Sequence, residues 1–345
     1  MVSPPGPPER ERPAPHPHPP PSPPGAHPAA GNFAAAGPTQ RPPRVKAKRR
    51  STPWIIAGIA AALVTVTAIA AILFLQNISG ESPKGQVVLP FSGLNDIGGV
   101  AVDNSGAVYV TDSKANRVLK LAAGSTTAAE LPFTGLDNPH GVAVDSSGSV
   151  YVADTGNNRV LRLASGEKSP TQLPFTGFNS GNRPSRVAVD AKGTVYCMDS
   201  VQLLKLPAGS SKMVYVQSGE AWLSNSAGMA VDKNGAVYLL AVDTIYYGKS
   251  ETSVLKMDAD RSQPSKLEPP IAGLKRPAGL AVDGNGALYI ADEETNRILK
   301  LPSGAKDPIE LPFTGLSEPG DVAVDKAGNV YVVDTGNKRV LKLST

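Results

Sequence analysis

The sequence predicts an all-β fold: a six-bladed β-propeller preceded by a disordered Pro-rich tail and one transmembrane helix. Two observations carry the propeller. An apolar run ending in Val-Asp recurs at Asp103, Asp145, Asp190, Asp232, Asp283 and Asp325, with separations of 42, 45, 42, 51 and 42 residues. Each copy has a glycine three positions after the Asp, from Gly106 to Gly328, and a tyrosine six positions after it, from Tyr109 to Tyr331. The third observation is an uncharged run of 22 residues at 54–75 behind a tail dense in proline. The expected organisation is a cytoplasmic tail at 1–53, a membrane helix at 54–75, a linker at 76–85 and the propeller at 86–345.

The tail has neither helical nor strand periodicity. Its proline-rich composition cannot bury enough apolar surface to offset ordering entropy, so a disordered, partly polyproline II segment is expected. His16, His18 and His27 alternate with prolines and read as solvated side chains. At 1.5 Å per residue the run at 54–75 spans roughly 33 Å, enough for a bilayer core. A cleaved signal peptide is the competing reading, but its apolar region is shorter, and the Ala-x-Ala match Ala68 to Ala70 lies inside the run. Arg41, Arg44, Lys46, Lys48, Arg49 and Arg50 precede the helix, and only Lys84 follows it closely. That asymmetry predicts a cytoplasmic N-terminus and an extracytoplasmic propeller. Of the chain's formal charge of +4, the first 75 residues hold +6, which leaves −2 on the remainder. The globular part therefore has no electrostatic case for nucleic-acid binding. The lone Cys197 excludes an intrachain disulfide and reads as a small buried apolar residue.

Within each repeat the Asp-x-x-Gly spacing is turn chemistry, with the Asp side chain holding backbone amides and the Gly taking positive φ between antiparallel strands. A second strand, such as VYVAD ending at Asp154, leads to a third, RVLRL, from Arg159 to Leu163. The LPFTG pattern beginning at Leu131, Leu173 and Leu311 is expected to be the fourth. Four short strands per repeat make a propeller blade, stable only when stacked on its neighbours. Gly141, Ala143, Gly279 and Ala281 suit innermost strands crowding an axis. The last repeat stops after its third strand, and an unmatched strand pattern at 86–91 precedes the first, so the N-terminal strand is expected to complete the last blade and remove the open edges.

Units such as GVAVDSSGSVYVADTGNNRVLRL, from Gly141 to Leu163, resemble NHL repeats. Together with the LPFTGL linkers they resemble the extracellular sensor domain of actinobacterial receptor-type serine/threonine protein kinase D. The resemblance implies a ligand-sensing propeller. The kinase's Gly-rich loop, ATP-contacting Lys, His-Arg-Asp and Asp-Phe-Gly motifs do not occur here.

The repeated Asp residues, including Asp112, Asp154, Asp199, Asp292 and Asp334 at the ends of second strands, read as blade-building groups, paired with Arg117, Arg159, Arg297 and Arg339. Enzymes that resemble such propellers, peptide-amidating lyases and streptogramin lyases, use histidine and metal, whereas the propeller holds one histidine, His140. No cofactor, metal site or catalytic residue is expected. Candidate ligand-binding residues are departures from the repeat on the face where loops lead into the inner strands: His140, Arg183, Arg186, Asn225, Arg276, Glu318 and Asp321. On the same face the fourth repeat replaces the usual Asp by Ala241 and extends a loop through residues 243–249, carrying Tyr246 and Tyr247. All of these are expected to lie in loops. The expected function is a membrane-anchored, extracytoplasmic sensor or interaction module for a peptide, protein or cell-envelope polymer, working with a separate membrane kinase. A propeller lyase or hydrolase is the alternative, and an adhesive envelope protein the third.

Overall fold

A computed structural model describes residues 85–199, 202–216, 228–245, 249–259, 265–267, 271 and 273–344. The expected tail, the membrane run at 54–75 and the linker up to residue 84 lie outside the described residues. Among the described residues no helix is long and apolar enough to cross a membrane.

Six four-stranded antiparallel sheets form, one per repeat. Their innermost strands are Ile97–Val102, Pro139–Val144, Arg186–Val189, Met229–Val231, Pro277–Val282 and Pro319–Val324. The last sheet is completed by the N-terminal strand Gln86–Val88, which pairs with Arg339–Leu343 in the register Gln86 to Leu343. The ring therefore closes as the orphan strand pattern requires. Gln86 adds a second tie: its amide donates to the Thr314 carbonyl at 3.2 Å and accepts from the Thr314 N–H at 3.0 Å.

One strand assignment needs correction. The outermost strands are Ala129–Glu130, Thr171–Gln172 and Ile309–Glu310, so LPFTG is the connector that leaves each blade. Proline has no N–H for a ladder. After one further bond, from the N–H of Leu131 to the carbonyl of Val118, the chain turns inward. Phe133 and Phe175 bury between blades, and Gly135, at φ 66°, turns its carbonyl to the Arg159 guanidinium 2.8 Å away. The same arginine binds the buried Asp154 carboxylate at 2.7 Å, which also accepts the Asp137 N–H. Asp112 with Arg117, Asp292 with Arg297 and Asp334 with Arg339 repeat this clamp. These Asp–Arg pairs build blades, as the repetition implies.

Apolar side chains from neighbouring sheets fill the spaces between blades. Val110, Val152, Val332, Ile298 and Val340 are completely or almost completely buried there. Cys197 is fully buried in such a layer, and burial pushes its thiol pKa well up. It behaves as an apolar residue.

Candidate functional site

Four positions before the repeated Asp, on the innermost strands or, for Gly228, just before one, stand Gly99, Gly141, Arg186, Gly228, Gly279 and Asp321. Glycine is what the axis demands: a Cβ on Gly141 would stand 2.8 Å from the Ser185 carbonyl oxygen and 2.9 Å from the Arg186 Cα. Blades three and six break the rule with opposite charges, and in a ring of six these two blades face each other across the axis. Arg186 and Asp321 thus belong to innermost strands, a correction to the loop expectation.

Arg186 reaches across the mouth of the axial channel. One guanidinium nitrogen donates to the Gly98 carbonyl at 3.2 Å and to His140 Nδ1 at 2.9 Å, and the other donates to the Ala278 carbonyl at 3.0 Å. It therefore joins blade three to blades one, two and five. Asp321 accepts the Val100 N–H at 3.0 Å, which ties blade six to blade one. Burial pushes the Asp321 carboxyl pKa up, and the Arg186 charge opposes that rise.

His140 is also on a strand, inside an irregularity between Pro139 and Val142 where the ladder shifts register. Such bulges redirect side chains, and here the imidazole meets Arg186. Burial, aided by the Arg186 charge, lowers its pKa to about 3. Arginine can only donate, so Nδ1 accepts and Nε2 carries the ring proton. The ring in this state has no lone pair free to take a proton from a substrate. Its carbonyl accepts the Thr111 hydroxyl from the neighbouring blade. Beneath this layer the channel, about 170 Å³, is lined by the inner strands, with Val100, Val142, Val187, Met229, Leu280 and Val322 among its walls.

The other expected site residues do not join this cluster. Arg183 is exposed on the approach to its blade. Arg276 is exposed and bonded to Glu293 at 2.9 Å. Glu318 is exposed at φ 51°, its N–H donated to Asn296 Oδ1 at 2.7 Å. Asn225, Tyr246 and Tyr247 lie outside the described residues. The expected long loop of blade four is instead a β-ribbon. Strands Val237–Ile245 and Lys249–Met257 stay paired out to Ile245 with Lys249, about twice the length of their counterparts. Ala241 is fully buried opposite Ser253, which lets the ladder run on where other blades end it with Asp.

Two features were missed by sequence reasoning. Each repeated Tyr lies beneath a cation from the third strand, as with Lys300 5.0 Å from the Tyr289 ring centroid, and Tyr109, Tyr151, Tyr289 and Tyr331 donate their hydroxyls to the turn Asp. The signal was present as a Lys or Arg at a constant place in every third strand. The other feature is a hollow of about 560 Å³ on the opposite face, among the Asp-x-x-Gly turns of blades four, five and six. Among the described residues no group of three or more His, Cys, Asp or Glu could hold a metal ion.

Comparison with known proteins agrees with this architecture. The NHL repeat model matches residues 94–121, 136–163, 274–301 and 316–343, which are blades one, two, five and six. No curated protein matches the chain significantly. Similar solved structures include a gluconolactonase from Xanthomonas campestris, 16% identical, covering 75% of this chain and 89% of that one, TM-score 0.58. A catalytically inactive virginiamycin B lyase from Staphylococcus aureus with quinupristin is 16% identical over 74% of this chain and 83% of that one, TM-score 0.55. The PQQ-bound aldose sugar dehydrogenase of Streptomyces coelicolor is 17% identical over 76% and 99%, TM-score 0.56. At these identities the likeness establishes the fold alone.

Proposed function

We propose that this six-bladed propeller with NHL repeats is an extracytoplasmic interaction module, held at the membrane by residues 54–75. A peptide, protein or envelope polymer docks on the face that carries the channel mouth. The observation that carries this reading is the blade-four ribbon: it is where the backbone departs from the repeat, and it extends the two strands on that face. Departures from a uniform scaffold are where binding is usually placed. Arg183 and Arg276, exposed on the same face, supply charge. The occupied Nδ1 and low basicity of His140 support binding over acid–base chemistry. The sequence resemblance to a receptor-kinase sensor domain supports a role in sensing, with a separate kinase as the partner.

The test is to shorten the ribbon by replacing residues 242–252 with a two-residue Asn-Gly turn, and to compare capture of envelope material with the unaltered chain. Loss of capture at unchanged melting temperature is expected. Undiminished capture would remove this face from the proposal. Proteolysis of intact cells tests the orientation: the propeller should be digested and the N-terminal tail spared.

A further inference from the structure

We infer that the hollow on the opposite face is a second binding site, and that its ligand is an acidic sugar, bearing a carboxylate or a phosphate. The residue directly after the turn Asp is Asn104, Ser146, Ala191, Lys233, Gly284 and Lys326 in blades one to six. Blade five thus lacks a side chain between two blades that carry lysines. Neither conformation nor packing asks for this glycine. Gly284 is absent from the positive-φ residues, and a Cβ built on it would have nothing within 4 Å. Glycine there leaves space, and the hollow of about 560 Å³ occupies it. That volume is in the range of roughly 300–1,000 Å³ usual for small-molecule sites.

The lining specifies the chemistry. Lys233 and Lys326 stand on either side of Gly284, and among the described residues neither forms an ion pair or hydrogen bond. Lys300 adds a third cation above Tyr289. The carboxylates that face them are held by their own turns. Asp283 accepts the Asn285 and Ala287 N–H groups on one oxygen and the Tyr289 hydroxyl on the other. Asp325 likewise accepts Ala327 and Asn329 N–H groups and the Tyr331 hydroxyl. Asp232 differs: one oxygen takes the Asn234 and Ala236 N–H groups, and no hydroxyl of Tyr238 reaches the other. That oxygen keeps its acceptor capacity. Two uncommitted ammonium groups match an anionic group, and a carboxylate oxygen beside them matches hydroxyl donors. An acidic sugar presents both within one small molecule.

The test is calorimetric titration of the full chain with glucuronate, with glucose-6-phosphate, with glucose and with inorganic phosphate. Saturable binding is expected for at least one acidic sugar and not for glucose. The Lys233→Ala/Lys326→Ala double variant should weaken it at least tenfold, and Gly284→Leu, whose side chain enters the hollow without backbone strain, should abolish it. Both variants should melt like the unaltered chain, and Arg183→Ala on the other face should bind normally. A response to glucuronate alone assigns a uronate, and a response to the phosphate ester alone assigns a sugar phosphate. Failure of both acids to bind, binding unchanged in both variants, or inorganic phosphate binding as well as the sugar phosphate with glucuronate inactive would overturn the proposal. None of these outcomes depends on the blade-four ribbon.

Discussion

Replacing Arg186 by Met tests whether the ring is pinned at its axis. The substitution keeps an unbranched apolar stem and removes the guanidinium, which leaves the Gly98 and Ala278 carbonyls and His140 Nδ1 without their donor. An acceptor left unsatisfied in a buried place costs about 1–3 kcal/mol. Water entering the channel mouth from outside recovers part of that loss. Asp321 also loses the charge that opposes its raised pKa. A net destabilisation of about 1–3 kcal/mol follows, against about 0.5 kcal/mol for an ordinary surface change. Urea unfolding of Arg186→Met followed by circular dichroism measures it. The double variant Arg186→Met/Asp321→Asn should lose at least about 1 kcal/mol less than the sum of the two single changes, because the groups share one environment. A single variant within about 0.5 kcal/mol of the unaltered protein, or strict additivity in the double variant, would refute the pin.

Four further outcomes are expected. His140, with a pKa of about 3 in the fold against an ordinary value near 6.5, binds fewer protons folded than unfolded, so its contribution to stability is lost as pH falls from about 6.5 towards 3. Asp321 acts in the opposite sense, since its raised pKa makes the fold bind more protons above the ordinary carboxyl value, and that contribution fades as pH rises. His140→Gln should therefore flatten the acid side of a stability profile measured by urea unfolding, and an unchanged profile would remove His140 from the account. Removing residues 1–92 should lower the melting temperature far more than removing 1–80, because only the longer deletion takes the strand Gln86–Val88 and opens the ring. Asp154→Ala strands Arg159 and the Asp137 N–H and should cost about 3–5 kcal/mol in urea unfolding. Asp154→Ala/Arg159→Ser should cost less than Asp154→Ala alone, because blade four folds with a buried Ala241 opposite Ser253.

Much of this architecture was legible in the repeat. The blade count, the uniform turn face and the closure of the ring all follow from where Asp, Gly and Tyr recur and from the unmatched strand at the N-terminus. The misreadings have local causes. LPFTG looks like a strand because its apolar residues are dense, yet its proline ends the ladder and its phenylalanine belongs between blades. The segment after Ala241 looks like a loop because the terminal Asp is missing, whereas that loss is what allows the strands to continue. Arg186 and Asp321 stood out as departures, but their position on the inner strands was hidden: the strand of Asp321 shifts register at its start, and that of Arg186 begins only at the arginine itself. That Arg186 bonds to blades one, two and five depends on closing the ring, and no local pattern encodes it. Gly284 passed unnoticed because a glycine in a turn looks ordinary until its φ and its empty surroundings are known.

The pairing of Gln86 with Leu343 also sets the order in which the molecule can be made. The propeller's first strand has its partner in the propeller's last, so five sheets can have all their members before the sixth does. Until Arg339–Leu343 has emerged, the nascent propeller is an open arc with two raw edges and the strand Gln86–Val88 waiting unpaired. Contacts between the two ends of a chain are the slowest to form, and exposed strand edges are sites of misassembly. A stop codon that removes only the final strand would therefore leave the ring as open as a deletion at the beginning. Arrival of Arg339–Leu343 is the event that closes the propeller.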